Sequence, residues 1–197
     1  MADEIRSKAR RAARSPIGTM PAFFPARLAP RQLLLSQTLA YGVGLALPAL
    51  VGIIFAAVYG KYWALALPIP FGIVLGIAAS FRPRGFLVDA QRIAVVRTVG
   101  PITWPLSQVK ILRAPPAWAP TKPIALMATR GLFGTYGWFW NRVWGAHRIY
   151  MTDSDEAVEI ELTSGRHIVV TPAAHRDFIA AVRDAAKRAG IEIQIER

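Results

Sequence analysis

The chain has three histidines, His147, His167 and His175, and no cysteine. Disulfides, thiolate metal sites and a cysteine nucleophile are therefore excluded. The histidines lack the helical spacing of a metal pair, and neither His-Glu-x-x-His nor Gly-x-Ser-x-Gly occurs. Strand alternation points His167 outward and His175 falls in the first turn of a helix, so each reads as a surface histidine. Asp153, Asp155 and Glu156 cluster before a strand but lack the glycine and closing glutamate of a calcium loop, which leaves a solvated acidic turn. Gly131-x-x-Gly134-x-x-Gly137 is not followed by Gly-Lys-Ser/Thr and is no phosphate loop. The residues predict no catalytic group, no metal and no cofactor.

The densest chemistry is aromatic. Phe133, Tyr136, Trp138, Phe139, Trp140 and Trp144 crowd one stretch, interrupted by Gly131, Gly134, Gly137 and Gly145 and accompanied by Arg130, Arg142 and Arg148. The glycines predict a turning loop or an irregular strand pair. Two readings of the rings stand side by side. They fill a core, or they form a surface patch at headgroup level, where Trp and Tyr sit well and arginines meet lipid phosphates. Exposed aromatics beside arginine also suit a protein partner.

The elements that must position this segment begin with two apolar runs. No charge occurs from Gln32 to Gly60, Lys61 interrupts, and Tyr62–Phe81 is again uncharged. About 20 apolar helical residues cross a hydrocarbon core of about 30 Å, so the runs predict a membrane-spanning helical hairpin turning at Tyr59-Gly60-Lys61-Tyr62. Gly52, Ala56 and Gly60 on the first run, and Gly72, Gly76 and Ser80 on the second, fall at four-residue spacing that lets helices approach closely in lipid. Pro48 is expected to bend the first span; Pro68 and Pro70 lie where the second begins. Neither span carries an ionisable acid, base or histidine, which speaks against a proton or ion path.

Charge sets the orientation. The net +12 divides into +5 for the arm before the first span, +1 for the turn, +9 for residues 82–148 and −3 for residues 149–197. Arg6, Lys8, Arg10, Arg11, Arg14, Arg27 and Arg31 precede the spans, and Arg82 and Arg84 follow them. Basic flanks favour the cytoplasmic side, so both termini are expected there, in a bacterial inner membrane. The first apolar run begins too late, and without a small-x-small cleavage site, for a signal peptide. The arm has room for a short surface helix over Ser7–Ser15 before Pro16, Pro21, Pro25 and Pro30, and Phe23 and Phe24 are placed to touch the bilayer. The basic half suits anionic lipid headgroups; because its charges lie where topology puts them, nucleic acid is not expected.

Past Phe81 the period changes from helical to strand-like. Phe86–Val88 and Ile93–Val96 flank a turn, short strands follow at Ile102–Trp104, Val109–Leu112 and Ile124–Thr129, and a proline-rich loop holds Pro115, Pro116, Pro120 and Pro123. Val158, Ile160 and Leu162 alternate with Glu159, Glu161 and Thr163, predicting one buried and one wet face, and Ser164-Gly165 turns the chain into Arg166–Val170. Thr171 and Pro172 predict a helix start and Gly190 its stop, with Phe178, Val182, Ala185, Ala186 and Ala189 on one face. Ile191–Ile195 is an edge strand or a tail. The run Gly131-Leu132-Phe133-Gly134-Thr135-Tyr136-Gly137-Trp138-Phe139, then Gly145 and Arg148-Ile149-Tyr150-Met151-Thr152-Asp153, continued by Gly165, Ile168–Pro172 and Phe178, resembles the signature of a bacterial pleckstrin-homology-like (PH-like) domain family over roughly residues 86–189.

The expected fold is therefore α+β: a basic arm (1–35), a transmembrane hairpin (36–81) and a cytoplasmic PH-like domain (82–197), a partial barrel or curved antiparallel sheet capped by a C-terminal helix. The resemblance implies a non-enzymatic binding or scaffold module. Two functions are expected, the first from the small-residue helix faces and the aromatic segment, the second from the basic charge. One is an accessory or assembly subunit docked on an integral membrane protein or on itself; the other is recognition of anionic membrane lipids by the arm and domain.

Overall fold

A computed structural model describes residues 21–114, 123–153 and 156–196. The expected helix over Ser7–Ser15, Pro115, Pro116 and Pro120 of the loop, and Asp155 of the acidic turn lie outside these residues. The chain is α+β, with two long apolar helices followed by sheets and a C-terminal helix.

The segment before the helices is not a bare arm. Ala22–Pro25 is a strand, β1, and a helix α1 runs over Pro30–Gln37. A π-helical segment, Thr38–Ala46, leads into α2 (Leu47–Tyr59). Pro48 lies in the first turn of α2, and the Leu47 amide reaches back to the Gly42 carbonyl in the wider π pattern. The register change forced by the proline is thus absorbed by wider turns before it. Gly60, with φ of 63°, stops α2 in the left-handed conformation a side chain would disfavour. A 3₁₀ segment, Tyr62–Ala66, folds back on α2, and α3 (Pro68–Phe81) completes the pair.

Two sheets follow. The first is an antiparallel four-strand sheet in the order β1-β2-β3-β4, with β2 Gly85–Val88, β3 Arg92–Val96 and β4 Ile102–Pro105. The second has seven strands, β5 Val109–Arg113, β6 Ile124–Arg130, β7 Thr135–Asn141, β8 Gly145–Met151, β9 Val158–Leu162, β10 His167–Val170 and β11 Gln194–Glu196. Their order is β11-β5-β9-β10-β8-β7-β6. The expected antiparallel sheet is corrected in part, because β10 runs parallel to β8 and β11 parallel to β5. Both pairs join strands separated by a connection too long for a hairpin, which frees the strand direction.

One core joins both sheets and the last helix, α4 (His175–Arg188). Phe86, Val95, Trp104, Leu112, Tyr150, Ile160, Leu162, Ile168, Phe178 and Val182 all belong to it. Phe24, expected at the bilayer, packs its ring edge-on to Phe178 at 5.5 Å. The helix also starts later than Thr171-Pro172 predicts. Thr171 is buried and its hydroxyl accepts the Thr152 amide, so it ties β10 to the end of β8 instead of capping. Glu156 takes over the helix end, accepting the His175 amide at 3.2 Å and its ring Nδ1–H at 2.6 Å. Those bonds hold the Glu156 carboxyl below its usual range. Gly190 ends the helix as expected: its amide bonds the Lys187 carbonyl, and the Ile191 amide that of Ala186.

The β domain is tied to the helices at several points. The Ala29 amide, just before α1, donates to the Thr152 carbonyl, and the Val99 amide to the Ser80 carbonyl of α3.

Candidate functional site

The aromatic segment is a regular strand pair, β7–β8, turning at Arg142–Trp144, with β6 laid along β7 at the free edge of the large sheet. Its rings divide between both sequence readings. Phe139 is fully buried in a second, smaller cluster with Ile149, Ala157 and Val169, and Arg130 lies over its ring at 5.6 Å. Tyr136 is buried in the main core; burial pushes its phenol up, and its hydroxyl donates to the Ala78 carbonyl of α3. Phe133 is half-buried against that core. Trp138 is half-buried beneath Arg148, 4.4 Å from the guanidinium carbon. Trp140 is 39% exposed, Trp144 is half-buried, and Arg142 is exposed on the turn.

The turn before β7 meets the helices. Gly131, Phe133 and Gly134 all have positive φ, unusual for a phenylalanine. Ser36, 1% exposed on α1, holds this shape: its hydroxyl donates to the Gly131 carbonyl at 2.8 Å and accepts the Phe133 amide at 2.9 Å. Arg82 lies 5.8 Å over the Phe133 ring. Sequence reading missed Ser36, since a lone serine before an apolar run carries no signal of a contact ninety-five residues away.

Beside the turn of β7–β8, a charged network covers part of the outer sheet face. Glu159 is fully buried, which corrects the expected wet face of β9. It accepts from Arg113 at 3.1 Å and from His167 Nδ1 at 2.8 Å. Arg113 also reaches Glu161 and Glu196, and Lys110 bonds Glu161 at 2.9 Å, which holds the Glu161 carboxyl down. Trp144 stacks on the His167 ring at 4.7 Å and 6°. His147 overturns the surface reading: it is 1% exposed, its Nδ1 bonds the Gly145 carbonyl, and burial pushes its pKa down. Glu159, Glu161 and His167 bring ligand atoms within 4.8 Å of one another. Arg113 and Lys110 already neutralise both carboxylates, so this is an ion-pair network knitting β5, β9, β10 and β11.

The small residues of the helices have unequal places. Gly52 is the close approach: a Cβ there would meet the Ala64 carbonyl oxygen at 2.3 Å. Ala56 is half-buried and its carbonyl accepts the Gly60 amide, so Gly60 serves as the helix stop. Gly72 faces Leu45 at 3.7 Å, Gly76 has nothing within 4 Å of a notional Cβ, and the Ser80 hydroxyl donates to the Gly76 carbonyl. A second tight contact between the two runs, Gly44 against Leu75, was not among the expected residues.

What remains open is the sheet edge. Ile124, Leu126 and Met127 of β6 are exposed, Met127 at 78%, alongside Trp140 and Val143. Their signal in sequence is an apolar run, Ile124–Ala128, with no alternation. No family model, curated protein or solved structure matches the chain.

Proposed function

We propose a membrane-anchored, non-enzymatic binding protein of PH-like type, whose two apolar helices hold the β domain at a bilayer surface and whose β6–β7 edge docks another membrane protein. The exposure of the helices supports insertion: only 17% of the Thr38–Tyr59 window and 6% of the Tyr62–Phe81 window are buried within the chain. Core helices of a soluble protein would be covered. Length agrees as well. The 14 residues of α3 and 5 of the 3₁₀ segment rise about 31 Å together, against a hydrocarbon core of about 30 Å. Two sheets packed with the C-terminal helix on one core support the PH-like reading.

The observation that carries docking is the two-sided exposure of β6. An exposed sheet edge whose residues 124–128 carry no charge is a template for pairing, with one irregularity in register between Ala125 and Met127. Here it belongs to a domain clamped in place by Ser36, Tyr136 and the Ala29 amide, so the edge is presented in a fixed orientation. The test is purification of the full chain from its native membranes in mild detergent. A stoichiometric membrane-protein partner is expected, lost in the Leu126→Glu, Met127→Glu double variant while that variant stays folded and membrane-bound. A chain that purifies alone, or a partner indifferent to the double variant, overturns the reading.

A further inference from the structure

Three arginines lie around the foot of α3, and none is ion-paired among the described residues. Arg82 leaves the end of α3 and lies over Phe133. Arg97, at the end of β3, lies 5.7 Å over Phe81, the last residue of that helix, and its Nε donates to the Gly100 carbonyl at 3.2 Å. Arg148 lies over Trp138, its direct partner across β7–β8. All three are half-buried.

Two tyrosines link them. Tyr136 and Tyr150 face each other in register across β7–β8, Tyr136 bonds the helix at Ala78, and Trp104 of β4 packs 6.1 Å from Tyr150. The floor is thus aromatic, and its walls are the foot of α3, the β3–β4 strands and β7–β8. Arg82 is near enough to be felt at the Tyr136 phenol, and Arg148 and Arg97 at Tyr150; no carboxylate is felt at either. The ion pairs among the described residues use Arg92, Lys110, Arg113, Arg183, His167 and His175, and none of these three arginines. Half-buried guanidiniums over aromatic rings, with no anion among the described residues, keep donors for a phosphate beyond those already given to Gly100 and Tyr150.

We propose that Arg82, Arg97 and Arg148, set around Tyr136 and Tyr150, form a binding site for the phosphate of an anionic membrane-lipid headgroup. The placement selects a lipid over a free phosphate, because the site lies where the apolar surface of α3 ends at Phe81, the level of the headgroups if α3 spans. That step rests on the membrane reading above. The apolar edge at β6 is a separate surface, and this site needs no protein partner.

The test uses the full chain in detergent, titrated with phosphatidic acid, phosphatidylglycerol or phosphatidylcholine, with bound lipid counted by native mass spectrometry. Preferential retention of phosphatidic acid and phosphatidylglycerol is expected. Arg97→Gln and Arg148→Gln should each weaken it about fivefold, the effect of one arginine near an anionic surface. Arg183→Gln, on the exposed face of α4, should leave it unchanged, and Arg97→Lys, keeping the charge without the guanidinium, should fall between. Equal retention of the three lipids, or equal loss in the Arg183 and Arg97 variants, overturns the site. Displacement by millimolar inorganic phosphate that also binds in lipid-free detergent overturns the lipid as its source. Alkaline carbonate extraction of the membranes separates the two proposals. A chain that is washed out refutes insertion, whereas one that stays in but shows no lipid preference refutes only this site.

Discussion

At the scale of single residues, the side chains that matter most are those least visible in the sequence. Ser36 is the clearest. Replacing it by Ala leaves the Gly131 carbonyl and the Phe133 amide without their partner, a cost of about 1–3 kcal/mol confined to one turn. Ser36→Ala should therefore speed amide exchange at Phe133 and Gly134 more than in β9 or β10; uniform exchange would count against the clip. Gly137 is stricter. With φ of 126° and Met127 carbonyl oxygen 2.4 Å from a notional Cβ, Gly137→Ala should lower stability by about 3 kcal/mol or more, measured by thermal melting in detergent. His147 gives a pH signature. Its folded pKa lies below the ordinary 6.5, so the unfolded chain takes up a proton that the fold resists. Stability should therefore fall as pH drops through about 6.5. Glu156 and Glu161, with lowered values, add loss in the same direction further down, below their usual 4.5. His147→Phe should flatten the near-neutral part of the profile and leave the acidic limb. A wild-type melting temperature that rises between neutral pH and about pH 5.5 would contradict the sign.

At the scale of elements, legibility followed the range of the interaction. The hairpins β2–β3 and β9–β10 were readable because a period of two and a turn signal, Ser164-Gly165 in the second, are local. Gly190 stopped α4 for an equally local reason. The start of α4 was misplaced because Thr171, a good cap by type, is claimed by Thr152 across the sheet. Parallel pairing of β8 with β10 left no mark in either strand. β1 was missed because four residues ending in a proline fall below any periodic window, yet it edges the first sheet and places Phe24 on Phe178. The aromatic site was half legible: the residue types announced a special segment, but which rings turn inward depends on a sheet assembled from distant strands. Two outcomes follow. Phe178→Ala, removing the ring that Phe24 and Phe86 contact, should cost about 3–5 kcal/mol. Phe24→Ala should also destabilise the β domain, by about 2 kcal/mol for a partly buried ring, although it precedes the helices in sequence. Thermal melts of both variants decide this, and an unchanged melt for Phe24→Ala would detach β1 from the core.

At the scale of the whole molecule, an apolar helical pair and a β domain are joined by more than a linker. The Ser36 clip, the Tyr136 bond to Ala78 and the Val99 bond to Ser80 make the junction a packed surface. Trp63 stands at the opposite end, 67% exposed in the 3₁₀ segment where the chain reverses. In a bilayer this puts the indole in the far headgroup belt. Trp63→Phe should then remove the part of the emission that brominated lipids quench most when bromine sits near the headgroups. Quenching of Trp63 by aqueous iodide alone would place that end in water. Hydropathy made the two apolar runs plain; the junction was not, since its bonds pair backbone groups and single side chains from far-apart sequence.

The sheet partner that β1 finds has a consequence for biogenesis. Ala22–Pro25 leaves the ribosome before either apolar helix, while its mate Gly85–Val88 emerges after both. β1 therefore waits without any strand of its sheet throughout synthesis of the intervening helices. If the two helices span a membrane, a single crossing would leave β1 and β2 in different compartments, so their pairing requires an even number of crossings between them, independently of the arginines at the flanks.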